Sequence, residues 1–145
     1  MIIKTGRFGE LEVSDSEIYT FPKGIPGFEE QMLFFIVSPE EDEPFSFLQS
    51  VADGDLVFVI ADPFLFRSDY DIELPESALA ELQIESADQV LLRSIITIRE
   101  DLDKATINLV APIVFNVDTK VGKQVVLATS SYTTRHPLFP AMEKR

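Results

Sequence analysis

The chain has 145 residues, 46% of them hydrophobic, no cysteine and a net charge of −13. That length and apolar content supply one domain with a sizeable core and exclude disorder as the default state, while the missing cysteines exclude a disulfide scaffold, a thiolate nucleophile and a sulfur-ligated metal. No apolar run reaches the ~18 residues of a membrane span, and the opening Met1-Ile2-Ile3-Lys4 lacks a signal peptide's apolar middle, so a cytoplasmic location is expected.

Along the chain, Leu11 and Val13 alternate with Glu10, Glu12 and Ser14, the signature of a half-buried strand. "PKGIPG" (22–27) signals a turn, with Gly24 and Gly27 supplying its geometry. "LFFIV" (33–37) and "LVFVIA" (56–61) are apolar on both sides and are predicted as central strands. Between them, Phe45, Phe47, Gln49 and Val51 oppose Ser46, Leu48 and Ser50, and "ADGD" (52–55) is a further turn. Pro75, Glu76, Ala78, Leu79 and Leu82 predict one short helix over about 75–82, which must pack on a sheet to persist. Val90, Leu92, Ile96 and Ile98 oppose Arg93, Thr97 and Arg99, predicting a long strand with one wet side. Ile107 to Val117 shows another apolar face opposite Asn108 and Asn116. Pro112 within it predicts an edge or bulge, and "VGK" (121–123) reads as a turn. The expected fold is mainly β: a compact antiparallel barrel-like or coiled sheet with one short helix. A single domain covers 1–138, and the tail 139–145 reads either as an arm ordered by a partner or as a frayed end.

The charge is lopsided. Residues 10–90 carry 20 Asp and Glu against only Lys23 and Arg67, while 91–145 carry 8 Lys and Arg against 5 acids. Nucleic acid and anionic lipid are repelled by the first 90 residues, so neither is expected to bind, whereas a basic partner is attracted. The same acidity also serves simple solubility.

Catalytic patterns are missing. His136 is the only histidine, too few for a hydrolytic zinc site; a local hydrogen bond fixing the tail is its plainer role. "DGD" (53–55) resembles a calcium loop, but Phe64 stands where the bidentate Glu belongs. "EEDE" (40–43) reads as a solvated loop. Nothing singles out a catalytic pair among 25 acids, so no enzyme and no cofactor are expected.

The stretch "ADPFLFRSDYDIELP" (61–75) stands apart. On an extended chain Asp69, Asp71 and Glu73 project from one side and Tyr70, Ile72 and Leu74 from the other. An ordinary wet face accounts for this pattern, and so does a strip that receives Lys and Arg of a partner, with Phe64 or Phe66 as anchor. Exposed ion pairs contribute only roughly 0.2–1 kcal/mol each, whereas a buried aromatic anchor contributes about 2 kcal/mol or more. In a docking role the carboxylates steer and the rings hold. A small-ligand-binding β-barrel, with the 12 phenylalanines lining a pocket, is the alternative.

"KGIPGFEE" (23–30), "LQSV" (48–51), "DPFLF" (62–66), "APIVFN" (111–116), "GKQVVL" (122–127) and "YTTRHPL" (132–138) occur in an order that resembles the flagellar assembly factor FliW family. The resemblance implies a non-enzymatic regulator with two protein partners. Family members hold the RNA-binding translational repressor CsrA, which relieves repression of flagellin mRNA, and accumulating flagellin takes up the factor and frees CsrA. Candidate contacts are Phe64, Phe66, Asp69, Asp71 and Glu73 for the repressor, with Ile25, Pro26 and Phe28 as a second patch and Leu138 and Phe139 in the tail.

Overall fold

The computed structural model describes residues 1–38, 44–98, 104–127 and 132–138. The acidic run 40–43, Arg99, Phe139 and the rest of the tail lie outside these. The chain forms strands β1 (Ile2–Thr5), β2 (Gly9–Glu12), β3 (Ile18–Thr20), β4 (Leu33–Val37), β5 (Phe45–Ser50), β6 (Val57–Ala61), β7 (Val90–Thr97), β8 (Thr106–Ile107), β9 (Ile113–Asn116), β10 (Val121–Gln124) and β11 (His136–Pro137). One short helix, α1 (Glu76–Glu81), lies between β6 and β7, and Pro75 immediately precedes it as its N-cap.

The sheet runs β11-β8-β7-β6-β5-β4-β3-β10-β9, and β9 pairs back onto β7, closing a seven-stranded barrel. Strands of alternating direction close a ring only when their number is even. Seven strands therefore force one parallel contact, and it falls between β3 and β10 at Thr20 and Val121. The remaining pairings are antiparallel, as the alternating sequence predicts.

Register assigns the faces. Tyr19 lies opposite Phe34, Leu48 opposite Phe58, Ile60 opposite Ile95, and Leu91 opposite Phe115. These side chains fill the barrel together with Phe21, Ile25 and Ile113. Phe21 meets Phe34 edge-on at 5.3 Å and Phe115 at 5.8 Å, the offset geometry that aromatic quadrupoles favour.

Barrel closure revises the expectation of strands with one wet side. Ser46, Leu48 and Ser50 are the inward set of β5, with Leu48 fully buried. The outward Phe45 is stacked by Phe66 and Phe47 is capped by Phe8 and Arg7. On β7 the supposedly wet side turns Leu91 and Ile95 into the barrel; Arg93 lies half-buried between them and donates from Nη1 to the carbonyl of Leu92 at 2.7 Å. Ile98, assigned to the apolar face, is instead exposed beyond the strand end.

Three outer coats cover the barrel wall. The β1–β2 hairpin lays Ile3 and Val13 on Phe35. Helix α1 lays Ala78 and Leu82 on Val114, Val125 and Leu127. The segment 62–74 joins β8 and β11 over Ala61 and Ile96. Within that last coat the Tyr70 hydroxyl donates to the carbonyl of Leu109 at 2.7 Å, and the Tyr132 hydroxyl bonds both the N–H and the carbonyl of Asp71.

"VGK" is not a turn: residues 117–120 turn, with Lys120 at φ +60°, and Gly122 sits inside β10. Its glycine is required by packing, because a Cβ there would lie 2.6 Å from Cζ of the fully buried Phe21. The Pro112 interruption is a break between β8 and β9, bridged by the Asn108 side chain, whose Oδ1 accepts from Val110 and Ala111. Asn116, assigned to a wet face, is buried. Its Nδ2 donates to the carbonyls of Leu82 and Gln83 at 2.8 and 3.2 Å, satisfying the end of α1, while Oδ1 accepts from Asp118 and Thr119.

Gly122→Ala is expected to lower stability by about 1–3 kcal/mol through overpacking, read as a drop of several degrees in Tm; an unchanged melt contradicts the packing argument. Burial, and secondarily Tyr132, pushes the Tyr70 hydroxyl up to about 12. The unfolded chain loses this proton nearer pH 10, so the contribution is complete below pH 10 and is lost as pH rises from there through 12. Tyr70→Phe is expected to be less stable at pH 8 by about 1–2 kcal/mol, with a smaller decline in Tm above pH 10 than the parent. Parallel alkaline declines would contradict this reading.

Candidate protein-docking site

The stretch 69–74 forms no ladder, yet its burial alternates as the sequence predicts: Asp69, Asp71 and Glu73 face solvent, Tyr70 is buried, and Ile72 and Leu74 are half-buried. Side chains take the place of ladder bonds: the Tyr132 hydroxyl accepts from the N–H of Asp71 and donates to its carbonyl, and the Tyr70 hydroxyl ties the stretch to the carbonyl of Leu109. Upstream, Asp62 accepts from the Phe64 N–H at 3.0 Å and starts a one-turn helix over Pro63–Leu65. That turn thrusts Phe64 and Leu65 outward, 44% and 65% exposed.

The carboxylates are not equivalent. Asp69 pairs with Arg67 at 3.0 Å, and that guanidinium lies 4.7 Å over the Tyr132 ring. Among the described residues no basic side chain pairs with Asp71 or Glu73, so these two are the acids available for steering. Phe64 packs edge-on to Tyr70 at 5.5 Å and keeps an open face. Phe66 is half-buried, stacked 6.0 Å from Phe45, and belongs mainly to the outer coat.

Beside this strip lies a solvent-open groove of about 760 Å³. Ile72, Leu74, Leu79, Ile84, Val90 and Leu92 supply its apolar lining, Phe64 adds a ring, and Glu73, Glu76 and Glu85 contribute carboxylates. Its origin is local: α1 is so short that Ala78 and Leu82 cover Val114, Val125 and Leu127 while Leu79 is left beside the outer face of β7. Sequence reasoning missed the contributions of Leu79, Ile84, Val90 and Leu92, and also the exposed Leu65. The available signal was that a two-turn helix cannot cover every outward residue of the strands beneath it.

Glu81 pins the far end of α1. It pairs with Lys23 at 3.2 Å and with Lys123, and these hydrogen bonds, that of Lys123 foremost, hold its carboxyl below the usual range. The two lysines nearest the helix are thereby committed.

The second predicted patch divides. Ile25 is 2% exposed and part of the barrel core, so it is corrected from a contact to an anchor. Pro26 and Phe28 remain at the surface, with Phe28 edge-on to Phe58 at 5.3 Å. Gly24 and Gly27 both take positive φ, and a Cβ on Gly24 would lie 2.6 Å from Cα of Glu29. A recess of about 320 Å³ lined by Phe28, Glu29, Glu30, Gln31, Asp53 and Leu56 lies there, sharing no lining residue with the groove.

Leu138 is also corrected. It is 3% exposed, packs in the coat beside Tyr70 and Ile107, and donates its N–H to Ala105 at 2.9 Å. Phe139 lies outside the described residues. Backbone pairing also fixes this end: His136 lies opposite Ile107 in a two-residue ladder. Burial foremost, then Arg67, lowers the imidazole pKa, while Asp69 opposes them. The "DGD" turn is held by the Gln49 amide, whose two Nε2 hydrogens are shared among the carbonyls of Ser50, Asp53, Gly54 and Leu56, all within 3.0–3.3 Å. Among the described residues no group of three or more His, Asp and Glu is placed to hold a metal ion, and no helix is long and apolar enough to cross a membrane.

A family model described as "FliW protein" matches residues 2–138. The chain is 41% identical to the flagellar assembly factor FliW of Alkaliphilus metalliredigens, over 99% of this chain and 90% of that one. It is 42% identical to the factor of the same description from Bacillus subtilis, over 95% and 96%. A crystal structure of the flagellar assembly factor FliW superposes with a TM-score of 0.90 at 41% identity, covering 97% of this chain and 99% of that one. A mainly β barrel carrying an exposed acidic and apolar face, with near full-length similarity in both sequence and structure, establishes that the chain belongs to the FliW family of flagellar assembly factors.

Proposed function

We propose that the protein is a cytoplasmic, non-catalytic partner switch, which holds the translational repressor CsrA while flagellin is scarce and releases it when flagellin binds. Membership of the FliW family supports the flagellar setting, and the family resemblance suggests the two partners. The observation that carries the binding mode is the placement of Asp71 and Glu73, exposed and without basic partners among the described residues, next to the outward rings and aliphatic side chains of Phe64 and Leu65.

Forces divide between these groups. A repressor that grips RNA presents a basic surface, which the acidic 10–90 region attracts over roughly one Debye length, ~8–10 Å at physiological salt. Rim ion pairs then add little, and the apolar contacts supply the hold. Once bound, the negative field of this chain disfavours RNA on the same repressor, since both are anionic. Pro26 and Phe28 form a separate exposed patch, and two patches without common residues suit a protein with two partners. The packed barrel interior counts against the small-ligand alternative, whose pocket would have to lie among Phe21, Phe34 and Phe115.

The test is a competition titration of CsrA, a flagellin mRNA leader and this protein at 50 and 500 mM salt. Displacement of RNA is expected to weaken markedly at high salt; equal potency at both would remove the electrostatic argument. In kinetic measurements Asp71→Lys with Glu73→Lys is expected to slow CsrA association roughly tenfold at low salt, with an unchanged melting profile. Unaltered on-rates would eliminate this strip as the landing site.

A further inference from the structure

We propose that the groove between α1, residues 72–74 and the outer face of β7 seats a cationic amphipathic helix of a partner protein. This assignment rests on the protein-binding reading above and names the secondary structure and charge of what binds.

The lining chooses the occupant. Among the described residues the groove is lined by seven aliphatic side chains and Phe64, and its polar lining groups are the three carboxylates and Ser86. An extended peptide laid on such a floor would bury backbone N–H and C=O groups with almost nothing to bond them, at substantial cost. A helix satisfies its own backbone and needs only an apolar stripe, which residues at i, i+3, i+4 and i+7 provide over about 10 Å of axis. At 760 Å³ the groove accepts several such side chains. It is too open to enclose the greater part of a small molecule, as a ligand pocket does.

Charge excludes the other candidates. Glu73, Glu76 and Glu85 contribute three negative charges, and among the described residues no basic side chain lines the groove. A second copy of this chain, itself at −13, is repelled, as is an anionic membrane surface. Lys or Arg flanking the apolar stripe of an incoming helix meets these carboxylates at the rim, where they set orientation and association rate.

The probe is a synthetic amphipathic peptide of about four turns, with Leu on the i, i+3, i+4 and i+7 positions and Lys on the flanks. It is compared with a peptide of equal charge carrying two interior prolines, by fluorescence anisotropy and by backbone amide NMR of the full chain. The helical peptide is expected to bind and to shift amides within 72–92, while the proline peptide binds at least tenfold more weakly. Glu76→Lys with Glu85→Lys is expected to weaken the helical peptide about tenfold at low salt. Glu76→Gln with Glu85→Gln, which perturbs the first turn of α1 less, is expected to weaken it about threefold. Equal binding of the proline peptide, shifts confined to 24–31, or affinities unmoved in both variants with normal melting would each overturn the assignment. Parallel titrations with purified CsrA and flagellin separate the two readings. Binding of both proteins without the peptide retains the partner switch and overturns the groove; binding of the peptide alone retains the groove and overturns the partner switch.

Discussion

Closing seven strands into a ring is the constraint from which the rest of this molecule follows. The parity of the ring places a parallel contact at Thr20 and Val121, and the rings of Phe21, Phe34 and Phe115 meet in the interior that closure creates. Phe21 lies so close to β10 that position 122 tolerates only glycine without displacing it. A closed barrel of this size fills its own interior with side chains, so the outward apolar residues of the wall are covered, where they are covered, by other parts of the chain. The β1–β2 hairpin, helix α1 and segment 62–74 are those parts.

The proposed docking surface lies where this outer coat is thin. Helix α1 has only six residues; Ala78 and Leu82 pack it on the wall, and its C-terminal end is held by Asn116 on the carbonyls of Leu82 and Gln83 and by Glu81 between two lysines. It leaves Leu79, Val90 and Leu92 bordering open space. Segment 62–74 forms no ladder; the Tyr132 hydroxyl holds the N–H and carbonyl of Asp71, the Tyr70 hydroxyl reaches the carbonyl of Leu109, and the carboxylates of Asp71 and Glu73 face solvent. Apolar floor and anionic rim thus arise from the same economy of cover, and electrostatic steering followed by apolar grip is the behaviour that such a face supports.

Much of this was legible in the sequence, and the failures share a cause. Continuous apolar runs identified the strands at "LFFIV" and "LVFVIA", and alternation identified the inward and outward sets of 69–74, because both patterns depend only on local backbone geometry. Alternation does not say which face is inside when both are covered, and so Leu48 and Arg93 were misjudged. Asn116 read as wet for the same reason: its partners, the carbonyls ending α1, are more than 30 positions away in the chain. Gly122 read as a turn because its true constraint, the Phe21 ring, is a contact across the barrel. Ile25 and Leu138 are candidate contacts only through the motifs and the tail that contain them, and such motifs do not say which way a side chain turns; both turn inward. The exposed Asp71, Glu73 and Phe64 were found because charge clusters and rings beside them are local signals.

The most direct measurement of the account is amide hydrogen exchange of the protein alone and with saturating CsrA. Slower exchange within 64–92, with little change in the interior of β3 and β4, is what a landing face on the outer coat requires. Protection confined to other parts of the molecule, or none at all in a complex shown to have formed, would contradict it.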